Sequence, residues 1–123
     1  MEQAAVRVIR EWADTLRSGD VAGAARFFAV PSVVSNGTPP VVLRTRADVR
    51  SFNASLPCGA RLVDTSSAGP VTTAVFRLTE RPGPGRCGAG TGQTARTTFI
   101  VLNGKIREWR RVADRPRPTG PIV

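Results

Sequence analysis

Histidine and tyrosine are both absent from the 123-residue sequence. Without histidine the chain has no Ser-His or Cys-His dyad and no imidazole metal ligand, and without tyrosine it has no phenolic donor to an oxyanion. Its two cysteines cannot form a structural zinc site alone. Acid–base catalysis would therefore depend on one of nine carboxylates. We expect no metal and no other cofactor.

Lysine is scarce, whereas arginine is abundant. Lys105 is the single lysine among 18 basic residues, and the formal net charge is +9. The arginines are scattered from Arg7 to Arg117 rather than gathered in one block, and no nucleic-acid-binding motif accompanies them. The charge suits attraction to anionic small molecules, but the sequence does not favour nucleic acid as a partner.

The sequence also lacks an apolar run long enough to span a membrane. Residues 1–20 are amphipathic and charged throughout, which is not the pattern of a signal peptide, so we expect a cytoplasmic protein. Length and composition suit one globular domain. We assign residues 1–113 to this domain and residues 114–123 to a proline-rich C-terminal tail.

Helical signals occupy the first half of the chain. Hydrophobic residues recur at helical spacing from Ala5 to Leu16, and Asp20 can cap a second helix, VAGAARFFA, that Pro31 ends. Two short strands, SVVSN and VVLR, follow. Thr45 and Asp48 then resemble a capping box that starts a third helix.

The second half of the chain changes to strand-like runs. These are ARLVDTS, VTTAVFRLTE, TARTTFIVL and KIREWRRV, and Asn103-Gly104 is a strong hairpin signal between the last two. We predict an α+β fold in which three N-terminal helices pack on a strongly curved mixed or antiparallel sheet. Such a sheet can enclose a cone-shaped apolar pocket, although a filled core would give the same pattern.

The two cysteines flank a predicted hairpin. Cys58 precedes the strand ARLVDTS, and Cys87 follows the strand VTTAVFRLTE, so antiparallel pairing would make the thiols neighbours. We predict a disulfide that pins the glycine-rich stretch RPGPGRCGAGTGQT at its root, although a reducing cytosol argues against it. A reactive dithiol is the alternative. The stretch lacks the ending of a phosphate-binding loop, and we expect a long hairpin loop that can fold over a pocket.

Three motifs in order resemble the SnoaL-like branch of the nuclear-transport-factor-2-like superfamily, which includes polyketide cyclases, ketosteroid isomerases and limonene-epoxide hydrolases. They are SGDVAGAARFFA, SVVSN followed by TRADVRSF, and the closing NGKIREWRRV. The resemblance covers roughly residues 3–113. It implies a cone-shaped, cystatin-like layered roll and a homodimer packed through the outer face of the sheet. The superfamily also contains binding and assembly domains, so its fold alone does not define a function.

The resemblance also implies an orientation for the closing strand. Trp109 and Arg111 would face the cavity and Arg107 its rim, whereas Ile106, Glu108 and Arg110 would lie on the outer face. Arg111 then stands where the epoxide hydrolases have their catalytic aspartate. A guanidinium there can hold a carboxylate, enolate or phosphate of a ligand. Alternatively it pairs with an internal carboxylate or faces solvent.

Other positions depart from the hydrolase pattern. Asn36 matches the water-positioning asparagine, but Val34 stands where those enzymes have tyrosine. Ala74 and Phe76 fall where their arginine and aspartate are expected. The known catalytic sets are therefore not preserved. This favours a binding role or an unfamiliar reaction.

We therefore predict binding of a small hydrophobic molecule, with or without a negative charge. The predicted ligand-binding residues are Val34, Asn36, Phe52, Ala74, Phe76, Trp109 and Arg111. The alternative is an isomerase, cyclase or hydrolase that uses a pocket carboxylate with Arg111 and Asn36. Asp64 and Glu80 are weak candidates for that carboxylate, because each can equally be solvated or paired with an arginine. A third possibility is a ligand-free interaction domain.

Overall fold

Residues 3–112, which the computed structural model describes, form three α-helices, one 3-10 turn and one six-stranded sheet. The helices are α1 (Ala4–Arg17), α2 (Val21–Ala25) and α3 (Arg46–Ser55). The strands are β1 (Phe28–Ser35), β2 (Val41–Leu43), β3 (Gly59–Ala68), β4 (Val71–Thr79), β5 (Thr94–Leu102) and β6 (Lys105–Val112). The predicted tail, residues 114–123, lies outside the described residues. No helix within residues 3–112 is long and apolar enough to cross a membrane.

The sheet is mixed. Its strand order is β2-β1-β6-β5-β4-β3, with β1 and β6 parallel and every other neighbouring pair antiparallel. Register shifts occur in three of these pairings, and such irregularities bend a strand and increase its twist. The sheet curls around the helices, so the predicted α+β fold is confirmed.

The buried face of α1 supplies the centre of the core. Trp12 packs edge-to-face against aromatic rings of four strands, with centroid distances of 5.8–6.2 Å. Those rings belong to Phe28, Phe76, Phe99 and Trp109. The indole N–H donates to Asn53 Oδ1 of α3 at 2.8 Å, so this buried polar group is satisfied.

The second helix is shorter than predicted. We expected VAGAARFFA to be helical up to Pro31, but α2 ends at Ala25 and Phe28 already belongs to β1. Phe28 is fully buried opposite Ile106, and the Ile106 N–H donates to the Phe27 carbonyl at 2.7 Å. Sheet pairing and burial of an aromatic ring therefore override helix propensity here. Pro31 lies inside β1, where the pairing with β6 shifts register.

The closing strand does not alternate as predicted. Ile106 was expected on the outer face but is fully buried. The reason is a bulge: Ile106 and Glu108 pair with adjacent residues of β5, so Arg107 is an extra residue that shifts the alternation. Ile106 and Trp109 consequently both face the core, and Arg107 is exposed.

Two local sequence signals form as predicted. Asn103 and Gly104 both have positive φ, 53° and 74°, which a type I′ turn between β5 and β6 requires. The Thr45 side chain accepts the Asp48 N–H at 3.0 Å and caps α3. The Asp48 carboxylate reaches the Arg44 N–H at 3.0 Å, one residue before the position that a capping box uses.

A disulfide joins Cys58 and Cys87. Antiparallel pairing of β3 with β4 places Gly59 opposite Thr79, which brings the two ends of this hairpin together. The bond closes a segment with a sequence separation of 29 and holds the glycine-rich loop against the start of β3. The predicted pairing is therefore present in the structure.

Removing this bond should cost stability. We expect the double substitution Cys58→Ser and Cys87→Ser to lower the free energy of unfolding by about 3–4 kcal/mol, because the reduced chain gains loop entropy when it unfolds. Urea titration measures this loss, and Ser66→Ala, an exposed change on β3, serves as the control. Protein purified without reductant should show no titratable thiol after denaturation. Two titratable thiols would contradict the bond.

Candidate functional site

A cavity of about 190 Å³ lies between α1, the connection from α3 to β3, and the inner face of the sheet. Most of its lining is apolar. The lining residues are Trp12, Leu16, Asn36, Leu56, Pro57, Cys58, Ala60, Phe76, Leu78, Ala95, Thr97, Trp109 and Arg111. Both tryptophans of the chain are among them.

Small side chains on the sheet create this space. Ala95 lies opposite Phe76, and Thr97 lies opposite Arg111. Each of these cross-strand pairs therefore contains one short side chain. In the next cross-strand row Phe99 lies opposite Trp109. Both rings belong to the hydrophobic core and fill the space between the sheet and α1. The cavity therefore begins where β5 changes from an aromatic to small residues on its inner face.

Arg111 is the charged residue of the cavity lining. It is half-buried, and its Nε is a buried donor without a hydrogen-bond partner. Within residues 3–112 the guanidinium forms neither a hydrogen bond nor an ion pair. Buried charges in proteins are usually paired, because a charge removed from water without a partner is costly. The internal carboxylate that we considered as an alternative partner for Arg111 is therefore not found in this part of the chain.

Trp109 brings a second unpaired donor to the same cavity. Its Nε1 is buried without a hydrogen-bond partner, unlike that of Trp12. The ring itself is well packed, with the Phe52 ring 5.0 Å away and the Trp12 ring 6.2 Å away, both edge-to-face. Packing thus fixes the indole, and its N–H remains a buried donor without an acceptor.

The two candidate catalytic carboxylates lie away from the cavity. Asp64 is exposed on the outer face of the sheet, opposite Val75, and its Oδ1 accepts the Thr65 N–H at 2.9 Å. Glu80 is exposed beyond the end of β4. Among the residues of segment 3–112 that line the cavity there is no carboxylate. The described part of the chain also contains no cluster of acidic or cysteine side chains that could hold a metal.

Glu80 organises the glycine-rich loop. Its carboxylate accepts the Cys87 N–H at 2.9 Å, the Gly88 N–H at 3.0 Å and the Thr91 hydroxyl at 3.2 Å. The hydrogen bonds from Cys87 and Gly88 lower the pKa of Glu80 below its ordinary value of 4.5. A carboxylate that acts as a general base at neutral pH requires a raised pKa. The lowered pKa and the hydrogen bonds of Glu80 therefore indicate a structural role.

The position of Glu80 has a pH-dependent consequence. Because its pKa is lowered on folding, ionised Glu80 stabilises the protein fully above the ordinary pKa of 4.5, and this contribution is lost as pH falls through the folded-state pKa. We expect Glu80→Gln to destabilise the protein near neutral pH and progressively less below pH 4.5. Urea midpoints of both proteins across this range measure the effect. A difference that does not change with pH would contradict it.

The predicted ligand-binding residues divide into three groups. Asn36, Phe76, Trp109 and Arg111 line the cavity. Val34 and Phe52 instead line an adjacent open groove of about 560 Å³ between β1, β2 and α3, which also includes Asn36. Ala74 is fully buried in the core and lines neither space.

Sequence reasoning missed one wall of the cavity. Leu56, Pro57 and Cys58 form it, in the connection from α3 to β3. Leu56 and Pro57 were not among the predicted site residues, and Cys58 was predicted only as a disulfide partner. The small residues Ala95 and Thr97 were also missed, although their alternation with polar residues in TARTTF carries a signal for an inner face.

The glycine-rich loop supports this wall from outside. The Arg81 guanidinium is buried and donates to the carbonyls of Leu56 and Ala54, at 2.9 and 3.2 Å. The Cys58–Cys87 disulfide adds a covalent link to the same segment. No residue of loop 81–93 lines the cavity, so the loop holds the wall rather than covering the cavity itself.

Comparison with known proteins identifies the fold. No family model and no curated protein matches the sequence. A proposed polyketide cyclase from Sinorhizobium meliloti matches the structure with a TM-score of 0.67 at 13% identity, over 90% of this chain and 100% of that one. A proposed ketosteroid isomerase from Kribbella flavida gives 0.60 at 19% identity, over 91% and 81%.

A third solved structure extends the likeness. The NTF2-like protein of unknown function from Cytophaga hutchinsonii gives a TM-score of 0.68 at 8% identity, over 93% of this chain and 92% of that one. The chain therefore has the nuclear-transport-factor-2-like fold, and the fold expected from the sequence motifs is confirmed. At these identities the likeness establishes the fold and leaves the activity to be argued from the cavity.

Proposed function

We propose that the protein binds a small, mostly hydrophobic molecule in the 190 Å³ cavity. The observation that carries this proposal is a well-defined space lined by two tryptophans, Phe76 and aliphatic side chains. Engineered apolar cavities of about 150 Å³ accept benzene, so the size here suits a molecule with one ring or a short branched chain. Apolar burial supplies the affinity, and the few polar groups set the orientation.

Binding fits the lining better than acid–base catalysis does. A general base must lie within hydrogen-bond reach of the proton that it removes. Within residues 3–112 the lining contains no carboxylate, and Cys58 is held in a disulfide. The catalytic alternative, a pocket carboxylate acting with Arg111 and Asn36, gains no support from these residues.

Filling the cavity should abolish binding. We expect Ala95→Leu, which adds three carbons at the cavity wall, to displace the ligand while leaving the aromatic core in place. Native mass spectrometry of the purified protein should show a discrete extra mass that denaturation releases, and the variant should lack it. Ala68→Leu, an exposed change on β3, is the matched control and should retain the mass. An Ala95→Leu protein that retains the extra mass would place the ligand outside this cavity, and a wild-type protein without any extra mass would favour a ligand-free interaction domain.

We also propose that two copies associate through the outer face of the sheet. Val33, Ile100 and Val71 lie in one cross-strand row on this face, with Glu108 between the first two, and all are half-buried in the single chain. Three apolar side chains close together on an exposed sheet face form the kind of surface that a partner covers.

A charge in the centre of this row should weaken the association. We expect Ile100→Glu to shift the protein from dimer to monomer, because it places a second carboxylate beside Glu108 and both would be buried against their own copies. Sedimentation velocity over a range of concentrations measures the shift. Ala47→Glu, on the exposed side of α3, should leave the dimer intact. A wild-type protein that is monomeric throughout would contradict the proposal.

A further inference from the structure

We infer that the ligand of this cavity is a monocarboxylate, and that Arg111 and the indole N–H of Trp109 bind its acidic group. This inference rests on the proposed function and specifies the chemical class of the ligand. It concerns molecules with one ring, or an equivalent short hydrocarbon chain, that carry a single carboxylate.

Two unpaired donors in one cavity support this inference. Arg111 Nε and Trp109 Nε1 are both buried without a hydrogen-bond partner, and both residues line the same space. They lie on the same face of β6, two positions apart, because alternate residues of a strand point to the same side. Leaving a buried donor unpaired is costly, so an acceptor supplied by a ligand would relieve both costs at once.

The cavity itself does not supply this acceptor. Thr97 lies directly opposite Arg111 and offers a neutral hydroxyl, and Asn36 offers a neutral amide. The two candidate carboxylates lie elsewhere. Asp64 is on the outer face of the sheet, and the Glu80 carboxylate accepts hydrogen bonds from Cys87 and Gly88 of the glycine-rich loop. A positive charge beside the aromatic lining therefore lacks a negative partner in this part of the chain.

The charge balance favours a carboxylate over a phosphate. Arg111 is the one charged residue among the lining residues of segment 3–112, so the cavity matches a single negative charge. A phosphate monoester carries about −1.5 to −2 at neutral pH and would remain partly uncompensated. The planar guanidinium also matches the two oxygens of a carboxylate, which it can bind with two parallel hydrogen bonds. The net charge of +9 would attract such anions from solution.

Benzoate and benzamide test this inference, because they share one ring and differ in charge. Trp12 and Trp109 both line the cavity and are the only tryptophans of the chain, so intrinsic fluorescence reports occupancy, and calorimetry supplies the dissociation constants. We expect benzoate to bind more tightly than benzamide. Arg111→Met, which keeps an unbranched aliphatic stem but removes the guanidinium, should weaken benzoate binding about 10- to 100-fold and leave benzamide binding nearly unchanged.

Control variants separate this site from the rest of the basic surface. Arg96→Met removes an exposed guanidinium from the outer face and should leave benzoate binding unchanged. Arg111→Lys keeps the charge without the planar fork and should give an intermediate affinity. Arg111→Met should also raise the melting temperature of the ligand-free protein, because it removes an uncompensated charge. Added benzoate should raise the melting temperature of the wild type more than that of Arg111→Met.

The possible outcomes distinguish the two proposals. Equal affinity for benzoate and benzamide, with both lost in Ala95→Leu, would overturn the carboxylate site and leave hydrophobic binding intact. An equal loss of benzoate binding in Arg96→Met and Arg111→Met would likewise overturn it. A lower melting temperature of ligand-free Arg111→Met would show that the arginine stabilises the fold, against this inference. Failure of both probes to bind would contradict both proposals.

Discussion

The packing of Trp12 connects the parts of this domain. The indole contacts the sheet through rings on four strands and contacts α3 through the hydrogen bond of its N–H to Asn53. A buried indole needs an acceptor, which explains why α3 carries a fully buried asparagine on its inner side. One side chain thereby sets the distance between the helical layer and the sheet, and the neighbouring walls of the cavity depend on that distance.

The cavity is the place where this aromatic packing ends. Phe99 fills the space between β5 and α1. The next inward-facing residues of β5 are Thr97 and Ala95, and their side chains are too short to fill it. Arg111 reaches the same space from β6 because it pairs with Thr97. The hydrophobic core and the cavity are thus formed by successive stretches of the same two strands. Their difference lies in side-chain volume and in one unpaired charge.

Most of the fold was predictable from the sequence, because periodicity, caps and turns are local signals. The helix over α1, the cap at Thr45 and the turn at Asn103 illustrate this. Two errors arose where distant pairing decides the local structure. Phe28 joins a strand because β6 pairs with it, and Ile106 faces inward because of a bulge opposite β5. Neither contact leaves a trace in the neighbouring sequence.

The candidate site was predictable only in part, for a related reason. Asn36, Trp109 and Arg111 could be placed because they lie in recognisable motifs. The wall of Leu56, Pro57 and Cys58 could not, since it becomes a wall only through contacts with loop 81–93. Side-chain volume was the second obstacle: an alanine on a strand shows no sign of whether a neighbour will cover it. Cavities are defined by such uncovered positions.

The parallel pairing of β1 with β6 also governs the order in which the site can assemble. Helices α1 to α3, the pairing of β1 with β2 and the hairpin of β3 with β4 form through contacts between near neighbours in the chain. The pairing of β1 with β6 instead requires a strand that is synthesised long after β1. Closing such a distant pair is a slow step in folding, because loop entropy is lost before contacts compensate for it. Trp109 and Arg111 lie on that late strand. The cavity therefore lacks the wall that these two residues form until β6 has paired with β1, and it is completed only late in folding.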